Sequence, residues 1–108
     1  MTTPQQVALG VARKGLRMFE QVKVPIVGII ENMSGFTCEH CGKVTPIFLE
    51  GGGKEMAESQ GVPYLGAIPL DPAIVTSGEE GVPILTNDSD SVAAKAFLAI
   101  AELSLIHI

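Results

Sequence analysis

The chain is poor in aromatic residues: tryptophan is absent, and one tyrosine and four phenylalanines make up 5% of 108 residues. Because 46% of the residues are nonetheless hydrophobic, the core must be built from Val, Ile, Leu and Ala. That composition suits a buried sheet covered by helices. Positive charge is also scarce, with seven Lys and Arg against twelve Asp and Glu and a formal charge of −5. Such a balance excludes a grip on a nucleic-acid backbone and a polybasic membrane patch. No apolar run reaches the length of a membrane span, and nothing at the start reads as a signal peptide. The expectation is a soluble cytoplasmic protein. There are only two cysteines, Cys38 and Cys41, which excludes a disulfide framework. A bridge between them would close too short a loop to stabilise much, so their role must be local chemistry.

What is present reads as alternating helices and strands. Thr3 as N-cap, Pro4 at the first helical position and Gln6 as capping-box partner predict a helix over residues 4–21. Val7, Ala8, Val11, Ala12, Leu16 and Phe19 continue its apolar face. Arg13, Lys14 and Arg17 are expected toward its C-terminal end, where positive charge suits the helix dipole. The β-branched run from Val24 to Ile30 reads as a central parallel strand. Residues 31–50 read as irregular. Lys54–Gln60 reads as a short helix entered through Gly51, Gly52 and Gly53 and ended by Gly61. Tyr64–Ile68 is a second buried strand. Pro72, Gly78, Gly81 and Pro83 predict loops with at most one short helical turn. Asp88 or Ser89 is expected to cap a last helix carrying Val92, Ala93, Ala96, Phe97 and Ile100 on one face. The order is that of a parallel α/β sheet. Two strands leave backbone groups without neighbours, so the chain reads as the C-terminal part of a larger doubly wound domain. The apolar tail, Leu103–Ile108, reads as an atypical end.

Three stretches carry chemistry. Cys38-Glu39-His40-Cys41-Gly42 follows the first strand. A Cys-x-x-Cys turn brings two sulfurs within reach of one metal, and Gly42 lets the chain fold back behind them. Tetrahedral zinc and a cubane cluster each want four ligands, so a second copy of the chain is the simplest completion. His40 sits awkwardly for joint chelation. A thioredoxin-like redox pair normally opens a helix, which Gly42, Val44, Thr45 and Pro46 do not continue. Spacing alone leaves zinc, redox and cluster chemistry open. Glu31-Asn32-Met33 lies at the carboxyl end of the first strand, where open α/β sheets bind ligands. Asn32 there can read a base edge or simply form a turn. Gly51–Gly53 could cradle an anion, although a flexible helix entry is the plainer reading. Asp71, after Ile68-Pro69-Leu70, reads as a loop cap or a ligand neighbour.

In combination these segments resemble the Mrp/ApbC family of iron–sulfur carrier P-loop NTPases, relatives of MinD. The matching stretches are Thr2–Gln5, Arg13–Leu16, Val24–Met33, Cys38–Gly42, Pro46–Phe48, Gly51–Gly53 and Leu65–Pro72, in order over residues 2 to about 83. The resemblance implies an α/β fold, the C-terminal part of a MinD-like three-layer parallel-sheet NTPase, with residues 1–102 in that portion and 103–108 outside it. It implies a homodimer in which Cys38 and Cys41 of each subunit hold one bridging [4Fe–4S] cluster for delivery to apo iron–sulfur proteins. It further implies that Asn32 contacts the adenine of ATP, that Pro69–Asp71 lies near the base, and that Thr3 ends a preceding strand. The family's deviant Walker A loop, switch residues and Walker B carboxylate belong upstream, so the chain alone is not expected to hydrolyse ATP. An Asp usual in the first helix is Val11 here, a usual Arg is Val75, and a nearby Asp is Glu79. The rival reading is a non-enzymatic zinc-binding interaction module built on a Cys-x-x-Cys knuckle.

Overall fold

Ile29 and Ile30 pack on opposite faces of a strand, as do Tyr64 and Leu65, and that alternation organises the molecule. The computed structural model describes residues 1–37, 40–87 and 91–107. Strand β1 (Ile29–Glu31) pairs in parallel with β4 (Tyr64–Ala67), with a register shift between Ile29 and Ile30. On one face lie α1 (Gln6–Gln21) and α2 (Gly52–Gln60), which join Leu9, Met56 and Ala57 to Ile29 in a core cluster. On the other, Leu65 and Ile68 pack with Ile100 of α5 (Val92–His107) and with half-buried Ile30, Ile74 and Phe97. Helices α3 (Pro72–Glu80) and α4 (Ile84–Asn87) extend that layer through Ile84, Ala93 and Ala94. The result is the expected α/β arrangement of helices on both faces of a parallel pair. Each fully buried Leu or Ile contributes about 1.5–3 kcal/mol.

Several elements differ from the expectation, each for a local reason. Helix α1 begins at Gln6 with Gln5 as N-cap and no side-chain cap. Thr3 does not cap it; the residue before it, Thr2, is drawn into the sheet. Thr2 forms a parallel bridge to Glu31, donating to Ile30 O at 2.9 Å and accepting from Asn32 N at 2.6 Å. Helix α1 ends at Gln21 as expected, but Arg13, Lys14 and Arg17 sit within it and none falls in its last turn. Strand β1 is shorter than the Val24–Ile30 run. Pro63 accepts from Ile29 N at 2.9 Å, but proline has no N–H to continue the ladder, and Val24 and Val27 stay exposed.

Residues 31–50 are not irregular throughout. Phe36–Thr37 (β2) and Val44–Thr45 (β3) form an antiparallel pair, and His40, Cys41 and Gly42 lie between them. Nor is 72–80 a loop. Asp71 caps α3 by accepting from Ala73 N at 2.9 Å, Pro72 starts the helix, and Gly81 (φ 71°) ends it. The cap of α5 is Ser91, whose hydroxyl accepts from Ala94 N at 3.1 Å; Asp88 and Ser89 lie outside the described residues. The same helix continues past Leu103 to His107. Among the described residues, no helix is long and apolar enough to cross a membrane.

Candidate functional site

The carboxyl ends of β1 and β4 point the same way because the strands are parallel, and the loops leaving them are tied together. Ile68 N donates to Glu31 O at 2.8 Å, Ser34 N to Ile68 O at 3.0 Å, and Leu70 N to Gly35 O at 2.8 Å. A bridge between Phe36 and Leu70 carries this pairing to the foot of the β2–β3 hairpin. This zipper brings Asn32 and the Pro69–Asp71 loop to one end of the sheet.

The predicted site residues that the structure describes have these settings. Asn32 is half-buried, and its side-chain oxygen accepts from Met33 N at 2.9 Å, which orients the carboxamide. Met33 takes the left-handed conformation (φ 56°), so the turn after β1 is tight. Pro69 and Asp71 are half-buried, and the Asp71 carboxylate is engaged at the start of α3. Cys41 is a free, exposed thiol in the turn between β2 and β3, beside Gly42 in the left-handed region (φ 71°). Cys38 lies outside the described residues. His40 is exposed in the same turn. Among the described residues, no group of three or more His, Cys, Asp or Glu side chains could hold a metal ion.

The residue that sequence reasoning passed over is Glu31. It is wholly buried (0% exposed), and its carboxylate accepts from Gly53 N at 2.7 Å, Gly51 N at 3.1 Å and the Ser34 hydroxyl. Gly51–Gly53 therefore does cradle an anion at a helix N-terminus, and the anion is the chain's own side chain. That occupancy leaves these amides unfit to receive a nucleotide phosphate. Glycine eases the approach, since a Cβ at Gly53 would stand 3.0 Å from the Glu31 Cβ, a tight contact. Gly51 adopts φ 88° as the N-cap of α2. The signal was available: an acidic residue closing an apolar strand needs buried donors, and a glycine run opening a helix offers them. Near this carboxylate, Tyr64 has its phenol pushed above the ordinary value by burial first and by the charge of Glu31 second. An apolar groove of about 380 Å³ lies at the other end of β1, lined by Leu16, Phe19, Val24, Ile26, Ile29 and Met56.

Residues 1–104 match the family described as ParA, the NUBPL iron-transfer P-loop NTPase. The chain belongs to this family. Among its curated relatives, the human cytosolic Fe-S cluster assembly factor NUBP2 is 44% identical over 102 residues, covering 94% of this chain and 38% of the relative. The iron-sulfur cluster carrier protein of Pyrococcus furiosus is 45% identical over 102 residues, covering 94% and 34%. The chain thus spans well under half the length of these relatives. Among solved structures, the cell division ATPase MinD of Pyrococcus furiosus superposes with a TM-score of 0.77 at 26% identity, covering 100% of this chain and 41% of that one. The nucleotide-binding protein of Archaeoglobus fulgidus, in complex with ADP, gives 0.63 at 35% identity, covering 73% and 32%. The fold is that of the MinD-like P-loop NTPases, and the resemblance read from the sequence stands.

Proposed function

We propose that the chain is the cluster-holding portion of an iron–sulfur carrier that is ATP-dependent in its complete form. Cys38 and Cys41 supply two thiolates, and the same pair from a second copy completes the ligation of one [4Fe–4S] cluster across a homodimer. The cluster is cargo, destined for apo iron–sulfur proteins. The observation that carries the reading is the free, exposed Cys41 thiol in a hairpin turn, in a chain of an iron-transfer family. An exposed thiolate can be reached by an acceptor protein, and a two-ligand motif shared between chains releases its cargo more readily than a closed four-ligand cage. In this reading Asn32 presents its oriented carboxamide to the adenine of ATP, with Pro69 and Asp71 beside the base. Residues 1–102 form the C-terminal portion of the NTPase domain and 103–108 fall outside it. The chain carries no Gly-x-x-x-x-Gly-Lys-Ser/Thr loop, so phosphate binding and hydrolysis belong to the complete protein. The site of action is the cytoplasm.

Anaerobic reconstitution with iron and sulfide tests the central claim. The unchanged chain should develop the visible absorbance of a cluster, at about four irons per two chains, and a Cys38→Ser, Cys41→Ser variant should not. Equal absorbance in both proteins would sink the proposal. The antiparallel β2–β3 pair also suits a zinc knuckle, because a Cys-x-x-Cys turn between short strands is a common zinc-ligand geometry. Metal analysis of aerobically purified protein separates the two, since tightly held zinc in place of iron would favour the knuckle.

A further inference from the structure

We propose that the outer face of α1 docks an acidic amphipathic helix of a partner protein. This face does not depend on the cluster-holding reading. Leu9 and Leu16 are the buried residues of α1. A helix turns about 100° per residue, so Val7, Val11, Lys14 and Met18 fall within about 60° of one another on the side opposite those leucines. Their successive spacing of four, three and four residues is that of a coiled-coil seam. Val7, Val11 and Met18 are 84%, 68% and 53% exposed. Val7 and Val11, expected on the core-facing side of the helix, therefore face outward, where a surface helix normally carries polar residues.

Two glycines flank the seam, Gly10 on one side and Gly15 on the other. Glycine inside a helix is less stable than alanine, and close packing usually accounts for it. Nothing within this fold does so here: a Cβ added at either position meets no neighbouring atom within 4 Å, and neither glycine has a positive φ. Bare backbone beside an exposed apolar seam lets a second helix approach closely. Charge selects the occupant. Helix α1 holds Arg13, Lys14 and Arg17 against Glu20, in a chain of net charge −5. Lys14 and Arg17 are exposed, and Lys14 stands at the centre of the seam. A second copy of α1 laid along it in register would set Lys14 against Lys14 in either direction, a like-charge contact that disfavours self-pairing. An acidic helix with apolar residues at the same spacing covers the valines and Met18 and brings carboxylates to Lys14 and Arg17. One charged residue within such a seam fixes register and partner. A membrane surface suits the face less, because helices that lie in one carry their lysines on the polar side rather than within the apolar stripe.

The probe is a synthetic helical peptide of about three heptads, with Leu at the seam positions except for one central Glu. Its twin carries Lys in that place, and the central charge opposes pairing of either peptide with itself. Binding is read by fluorescence anisotropy of the labelled peptide. Sedimentation of the protein alone, and with phosphatidylserine vesicles, is read in parallel. The unchanged chain should bind the Glu peptide about tenfold more tightly than the Lys peptide. Val11→Glu should weaken binding of the Glu peptide by about tenfold. Lys14→Glu should reverse the preference between the two peptides, with circular dichroism reporting both variants as folded. Gly10→Ala should raise the unfolding midpoint, because no neighbour resists its Cβ, and yet weaken peptide binding. Equal affinity for the two peptides, or a preference that Lys14→Glu leaves unchanged, overturns the proposal. Self-association abolished by Val11→Glu, in place of peptide binding, would make the face an interface between copies. Vesicle binding with the same sensitivity would make it a membrane surface. Either result also overturns the proposal.

Discussion

Two acidic residues each close the N-terminus of a helix, and they do so in opposite ways. Asp71 caps α3 from the adjoining position, half-buried, through one hydrogen bond to Ala73 N. Glu31 reaches α2 from 20 residues away, wholly buried, and accepts from two amides and a hydroxyl. Both answer the same need, because the first amides of a helix have no partner within it. The difference lies in what each ties together. The local cap ends one loop. The distant one joins strand β1, the hairpin root and α2.

Replacing Glu31 by Ala should have the largest effect, about 3–4 kcal/mol in a urea titration, since three donors lose their acceptor in a buried site. A loss under 1 kcal/mol would make the distant cap no more important than a local one. Asp71→Ala should cost about 1 kcal/mol in the same titration, the usual value of an N-cap. Equal losses at the two sites would erase the contrast. The smallest effect concerns Tyr64, whose phenol is raised by burial and by Glu31. The folded state holds this proton after the unfolded chain has released it, so stability should fall as pH rises above the ordinary value of 10.0. Urea midpoints on either side of that pH should converge toward a flatter profile in Tyr64→Phe. The contribution of Glu31 is tested by making that measurement in Glu31→Gln as well.

The same contrast explains how much was legible in the sequence. Asp71-Pro72 and Gly81 are a start signal and a stop signal nine helical residues apart, and α3 could have been read from them alone. Treating the same residues as loop punctuation hid the helix. Glu31 with Gly51–Gly53 was harder, because no local pattern links a strand end to a glycine run across a hairpin. The hairpin itself was half-visible: Phe36-Thr37 and Val44-Thr45 are β-forming pairs around a turn, yet each is too short to show alternation. The opposite error came at Val24–Ile30. Its β-branched residues have the propensity of a strand, but only Ile29–Glu31 finds a pairing partner, and propensity does not supply one. The cysteine spacing and the family resemblance were fully legible, because both are sequence patterns. How the Cys41 thiol is presented was not.

The described residues between Gly35 and Glu50 give little to the core, and the segment is closed at its base. Joining the ends of a loop has an entropic cost that grows slowly with length, and here most of it is met by contacts that stay behind in the scaffold. The hairpin therefore behaves as a detachable cassette. A loop of different length or ligand content, set between Ser34 and Gly51, should leave both layers of helices intact. By the same logic the turn could be rebuilt without changing the fold.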